Sequence, residues 1–307
     1  MLKKLLSYNE KILVLVIFIF SLLLNQYYAN RGAFPIESFA HFDIAYKIIH
    51  GDIPFQDYWL VSGLFIDYLQ AFFFKIFGLN FQTYVLQASL FNCLLAVLTF
   101  YILKNFKLNI YQCFFYSISF ATLAYTTSGT LYVDHHASLL CLLAVYMLIM
   151  FIKTEREIFL IFLPIISGLA FLTKSAPTVY IIFSIFLILT FYIFNKKKFN
   201  WFLYLALSSL SFVMLTLIFF KIANIPFSSF FNQYILFPSS IGKDRYGELN
   251  FLSGGVLFDF KFIYLAFLPI LLVNINFVNI LKSKKELADK QFYYFLSLLF
   301  LTISLIF

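Results

Sequence analysis

Acidic and histidine side chains are concentrated in one part of the chain, residues 35–78, although only 12% of all residues are charged. The set includes Glu37, His41, Asp43, Asp52, Asp57 and Asp67. A carboxylate can take a proton from a hydroxyl group, and a histidine can hold or pass on a proton near neutral pH. Because ionisable groups are costly among apolar segments, this concentration predicts a functional site.

Composition identifies the kind of fold that must position these residues. The 307 residues are 63% hydrophobic and 22% aromatic, with a mean hydropathy of +0.91. Helices need about 20 apolar residues to cross a bilayer. We therefore predict an all-α, polytopic transmembrane bundle of about nine spans, forming a single membrane domain over 1–307. The predicted spans lie near 12–24, 82–103, 109–130, 133–152, 158–175, 177–194, 200–221, 259–280 and 291–307.

Two shorter segments between the first and second spans differ from the others. Residues 63–78 carry Asp67, Gln70 and Lys75 and are too short to cross the membrane, which favours an interfacial or partly re-entrant helix. Residues 38–50 have one apolar side and precede Gly51, which can end a helix. At the other end of the chain, 305–307 lie inside an apolar run, which suggests a shortened chain.

Lysine and arginine predict the orientation. With a cytoplasmic N-terminus, 14 of the 22 basic residues fall in short inner segments. The outer segments are then 29–78 and a second long loop, 222–258. The net charge of +8 is explained by contact with inner-leaflet lipid, so no nucleic-acid partner is expected. We expect an integral protein, typical of a bacterial inner membrane.

Other polar groups fall on the same predicted side as the acidic loop. Asp134, His135 and His136 begin the fourth span, and Lys174 ends the fifth. Lys243 and Arg245 belong to the second outer loop. No Gly-rich phosphate loop, CxxC pair or HExxH motif occurs. An acid, two histidines and cations are therefore predicted to converge at one membrane face.

At these residues the chain resembles the GT-C superfamily of polytopic glycosyltransferases, in particular the branch of protein O-mannosyltransferases and aminoarabinose transferases. The matching positions are Gly51, Pro54, Phe55, Asp57 and Phe77-Gly78, and Glu37 stands fourteen residues before Gly51 where the family has its first acid. Asp134 and Lys174 resemble the family's residues at the fourth and fifth spans. The chain departs from the family at Ser38, which replaces a second acid, and at Gly63-Leu64, which replaces Pro-Pro.

The resemblance implies inverting transfer of a sugar from a polyprenyl-phosphate carrier to an acceptor hydroxyl, without a cofactor or metal. Glu37 is the predicted base and Asp43 the second catalytic candidate. The predicted substrate-binding residues are His41, Asp57, Asp134, His135, His136, Lys174, Lys243 and Arg245. The residues do not identify the sugar or the acceptor.

Alternatives remain open for these assignments. Glu37 could cap the helix that begins near Ser38, Asp43 could pair with Lys47, and Lys174 could extend to the interface. Asp134 and the histidines could cap the fourth span at the headgroups, or join Glu37 and Asp43 as metal ligands. A transporter or flippase of lipid-linked sugars, and an inactive scaffold, are the alternative functions.

Overall fold

The computed structural model describes residues 8–31, 37–124 and 129–241, and every regular element in that part of the chain is helical. The elements are α1 (Tyr8–Ala29), α2 (Glu37–His50), α3 (Leu64–Phe77), α4 (Phe81–Asn105), α5 (Ile110–Ala124), α6 (Val133–Thr154), α7 (Glu157–Thr173), α8 (Ser175–Lys196), α9 (Asn200–Ile222), α10 (Phe227–Phe230) and a π-helical turn (Phe231–Leu236).

Five of these helices, α1, α4, α6, α8 and α9, are long and apolar enough to cross a membrane. Two shorter apolar helices, α5 and α7, correspond to two further predicted spans. The all-α class is thus confirmed for the described residues, and the five long apolar helices suggest an integral membrane protein. The predicted spans 259–280 and 291–307 lie outside the described residues, so the count of nine stays a prediction.

The two short helices predicted in the first long loop are both present. α2 ends at His50 because Gly51 adopts a left-handed φ of 98°, which few other residues tolerate. α3 runs from Leu64 to Phe77 between Gly63 and Gly78. The 14 residues of each helix are too few for a perpendicular crossing, as the sequence indicated.

Ionic contacts between helix ends define one end of the bundle. Glu10 at the start of α1 pairs with Lys104 near the end of α4 at 2.5 Å. Glu155, between α6 and α7, pairs with Lys196 at 3.0 Å and Lys198 at 2.7 Å. We call this the basic end.

The opposite end, which we call the first-loop end, carries α2, α3 and the connection 51–63. An apolar cluster underlies it, in which Phe55 and Leu60 of the connection pack with Phe220, Phe230 and Tyr234. These aromatic contacts hold the first loop on the ends of α7 and α9. The fold therefore gathers the first loop and the chain after α9 into one polar and aromatic layer.

Candidate functional site

A buried histidine and aspartate form the centre of the first-loop end. His41 on α2 and Asp67 on α3 approach within 2.7 Å, Nδ1 to Oδ1. The Asp67 side chain is fully buried and that of His41 is 8% exposed. An ionisable pair of this kind has almost no water to solvate it, so its geometry depends on the packing of α2 against α3.

Gly63 allows the His41–Asp67 pair to lie directly beneath the connection 51–63. A Cβ at Gly63 would stand 2.7 Å from both Asp67 Oδ2 and His41 Cε1, and its φ of 94° is also left-handed. The Gly63 N–H donates to the Thr173 carbonyl at 2.7 Å. This hydrogen bond joins the loop above His41 and Asp67 to the end of α7, next to Lys174.

The surroundings of Asp67 are polar but incompletely paired. Burial raises the pKa of the Asp67 carboxyl, and the charge and hydrogen bond of His41 oppose that rise. Burial, with Asp67 nearby, also raises the pKa of Tyr58. Within the described part of the chain, Asp67 Oδ2, the Tyr58 hydroxyl and both polar atoms of the Gln70 side chain lack hydrogen-bond partners. Buried polar groups are normally paired, so this cluster is unusual for a purely structural region.

A second ion pair lies next to the first. Lys174 Nζ contacts Asp134 Oδ1, although the two residues are 40 positions apart. Both side chains are partly exposed, at 32% for Lys174 and 41% for Asp134. Tyr132, not Asp134, occupies the N-cap position of α6, and it makes no capping side-chain bond. Asp134 is therefore not the cap of α6, and its carboxylate pairs with Lys174.

The two neighbouring histidines have different surroundings. The His136 ring is buried and lies 4.4 Å from the ring of Phe91, whereas His135 is half-buried beside Tyr132. Burial of His136 departs from the headgroup position considered for it. In the described residues, no three His, Cys, Asp or Glu side chains are close enough to hold a metal ion.

A glutamine after α9 forms hydrogen bonds with the backbone of the connection 51–63. Gln233 accepts a hydrogen bond from the Leu60 N–H and donates one to the Phe55 carbonyl, both at 3.0 Å. It lies in the π-helical turn, a geometry that is frequent at functional sites. The adjacent Tyr234 is fully buried and donates to the Phe171 carbonyl at 2.8 Å. The turn thus joins the first loop to α7.

The remaining predicted site residues have varied positions. Glu37 is the first residue of α2, one helical turn before His41. Asp43 forms the alternative pair with Lys47 at 2.8 Å and is 61% exposed. Asp57 is exposed and accepts the Ile53 N–H at 2.6 Å, so it shapes the local turn. Lys243 and Arg245 lie outside the described residues.

Three residues of this region were absent from the sequence-based site. Asp67 is counted among the acidic residues of the first loop but has no assigned role, Gly63 is named only as a departure from the family, and Gln233 is not named. A usable signal existed for Asp67, since Asp67 and Gln70 are polar positions three residues apart in the first half of a mostly apolar helix. Gln233 offered none, because its contacts lie 173 and 178 residues away.

Comparison with known proteins gives no relative on which a role could rest: no protein-family model matches the chain, and no curated protein matches it significantly. The candidate site rests on its own geometry and chemistry.

Proposed function

We propose that this chain is a membrane-embedded inverting glycosyltransferase, which moves a sugar from a polyprenyl-phosphate carrier to an acceptor hydroxyl. One observation carries most of the weight. Lys174 and Asp134 form a partly exposed pair beside an acidic loop, and the Gly63–Thr173 hydrogen bond joins that loop to the residue before Lys174. A cation for a phosphate and carboxylates for a proton are thus available together, as this reaction requires.

In the proposed reaction, Glu37 takes the proton of the acceptor hydroxyl as its oxygen attacks the anomeric carbon. The bond from that carbon to the phosphate oxygen breaks, and the carrier leaves as polyprenyl phosphate. Lys174 stabilises the phosphate charge, exchanging part of its contact with Asp134 for the ligand. In the second outer loop, Lys243 and Arg245 are proposed as further phosphate contacts.

A cavity near Lys174 suits the apolar tail of such a donor. It has a volume of about 500 Å³ and is lined by α7, α8 and α9, including Leu163, Ser167, Phe171, Ile185 and Phe212. Phe171 stands three residues before Lys174, and the α7 lining continues to Leu163, about 12 Å along the helix. A carrier whose phosphate binds at Lys174 would therefore have apolar space for its first isoprene units about one helical turn away.

Transfer is best tested with the full chain in lipid nanodiscs. The substrates are undecaprenyl-phosphate mannose, glucose and aminoarabinose, each labelled in the sugar, with a cell-envelope fraction as acceptor. We expect one donor to lose its sugar to the acceptor, and substitution of Lys174 by Gln to reduce this. If every donor stays intact while labelled donor crosses the bilayer of proteoliposomes, the chain is a flippase and the enzyme proposal fails.

Metal dependence separates the two chemistries considered for the acids and histidines. We propose that a carboxylate base and positioning suffice, so transfer should survive EDTA. Loss of transfer in EDTA, with recovery on addition of Mn²⁺ or Mg²⁺, would instead make these side chains metal ligands.

We also propose that the first-loop end faces outward and that the N-terminus is cytoplasmic. A cysteine introduced beside Lys197 should resist an impermeant thiol reagent in intact cells, and one beside Lys243 should react. The three native cysteines are buried, so their background labelling should be low. The reverse pattern would put the candidate site in the cytoplasm.

A further inference from the structure

We propose that Asp67 is a positioning residue, which acts through His41 to hold the start of α2 in its working orientation against the end of α7. This inference rests on the proposed function and adds to it a residue that does not itself meet the substrate. Among the described residues, His41–Asp67 is the only ion pair that α2 makes with another helix from residue 39 onwards.

The pair lies where three parts of the site meet. His41 belongs to the second turn of α2, one turn after Glu37, and Asp67 belongs to the first turn of α3. Gly63 covers both side chains and donates to Thr173, the residue before Lys174. A shift of Asp67 is therefore transmitted to the helix that begins at Glu37 and to the loop fastened beside Lys174.

The rest of α2 is held by less specific contacts. Phe42, Ala45, Ile48 and Ile49 belong to an apolar cluster with Phe74 and Tyr84. Apolar packing accommodates small rotations of a helix. A 2.7 Å hydrogen bond to a buried carboxylate tolerates only small rotations before it is lost, because its strength depends on distance and angle. Asp67 consequently selects one orientation of α2 from those that the apolar cluster would accept.

The test compares single and double variants of the full chain in nanodiscs with the donor found active above. Asp67→Asn keeps the size of the side chain and removes its charge. We expect kcat to fall about 10²-fold, as misplacement of a catalytic group by about 1 Å can cause, while KM for the donor changes less than about threefold. The double variant, Glu37→Gln with Asp67→Asn, should have the same kcat as Glu37→Gln alone, because both substitutions remove the contribution of a correctly placed base to the rate.

The matched control is His50→Gln, on the last turn of α2, where the exposed His50 hydrogen-bonds, among the described residues, only to Tyr46 of its own helix. It should leave transfer unchanged, whereas His41→Gln should reproduce the Asp67 variant. Independent, multiplicative losses in the double variant, or equal losses in the two histidine variants, would overturn the proposal. Should Asp67→Asn fail to fold, His41→Gln takes its place in the comparison of single and double variants with Glu37→Gln.

A readout without turnover separates this proposal from the proposed function. Spin labels replace the exposed Tyr46 on α2 and Val179 on α8. One narrow distance distribution is expected in the wild type, and a broader or displaced one in Asp67→Asn, even if no donor proves active. An unchanged distribution would overturn the positioning role while leaving the transferase proposal standing.

Discussion

The two ends of this bundle use charge in opposite ways. At the basic end, Glu155 is 32% exposed and lies between two lysines, so either contact can be lost without leaving the carboxylate unpaired. At the first-loop end, Asp67 is fully buried and His41 is the one hydrogen-bond partner of its carboxylate among the described residues. The carboxylate at the basic end is thus partly solvated and has two cationic partners, whereas the carboxylate at the first-loop end is excluded from water and has one partner.

The difference indicates what each set of charges does. Exposed ion pairs contribute about 0–1 kcal/mol, and lysines at helix ends suit an orientation role at an anionic membrane surface. Breaking a buried pair by removing one partner costs about 3–5 kcal/mol, and well-packed apolar residues are often more stable than the pair itself. A buried pair beside unpaired polar groups is therefore better explained by function than by stability.

The largest expected contrast involves Glu37. General-base catalysis contributes about 10²- to 10⁴-fold, so Glu37→Gln should lower the transfer rate by that factor without lowering the amount of folded protein. Glu155→Gln, the same change at the basic end, should leave transfer intact. Initial rates per folded molecule in nanodiscs measure both.

Asp43 decides whether the base is assigned correctly. Its exposed pair with Lys47 predicts an effect of a few tenths of a kcal/mol for Asp43→Asn. If Asp43→Asn abolishes transfer while Glu37→Gln does not, the base is Asp43 and the count back from Gly51 is six residues too long.

Two glycines sharpen the claim that the first-loop end is closely packed. Gly51→Ala and Gly63→Ala both force a left-handed φ, but only at Gly63 does the new Cβ overlap other atoms, those of Asp67 and His41. Backbone strain should cost each variant about 1–3 kcal/mol, and Gly63→Ala should lose more stability than Gly51→Ala. Thermal unfolding in detergent compares them, and equal losses would contradict the packing described for Gly63.

Lysines at the two ends should differ in their effect on the donor. Lys174→Gln removes the charge proposed to hold the phosphate and should weaken donor binding by about 1–3 kcal/mol. Lys198→Gln removes one of the two cations beside Glu155 and should not change it. Titration with undecaprenyl phosphate gives both affinities, and equal affinities in the wild type and the Lys174 variant would exclude Lys174 from the site.

The smallest expected effect is a pH dependence at the basic end. Hydrogen bonds from Lys198 and Lys196 lower the pKa of Glu155 to about 2, from an ordinary value of 4.5. The stabilisation is therefore fully present above pH 4.5 and is lost as the pH falls towards 2. The unfolding midpoints of wild type and Glu155→Gln should differ slightly at pH 6 and converge as the pH is lowered. A difference between the two midpoints that increases as the pH is lowered would contradict a lowered pKa of Glu155.

Local patterns in the sequence predicted much of the fold and part of the candidate site. Apolar runs predicted the five helices of the described chain that are long enough to span a membrane and two shorter apolar ones. Gly51 predicted the end of α2, and spacing suggested the Asp43–Lys47 pair. Matching ends of predicted spans brought Asp134 and Lys174 to one side, where they pair. The His41–Asp67 pair could not be derived, because it depends on the rotation of α2 against α3, and sequence periodicity leaves that rotation open.

Gln233 has a consequence for how the protein is made. Its side chain closes contacts with Phe55 and Leu60 that span 178 and 173 residues. At roughly 5–20 residues per second, the ribosome needs about 9–35 seconds to extend the chain from the first loop to Gln233. During that interval, α4 to α9 are synthesised while the connection 51–63 lacks its contacts with Gln233. Biogenesis therefore completes this region late, and chaperones or proteases at the membrane would meet the loop before it closes.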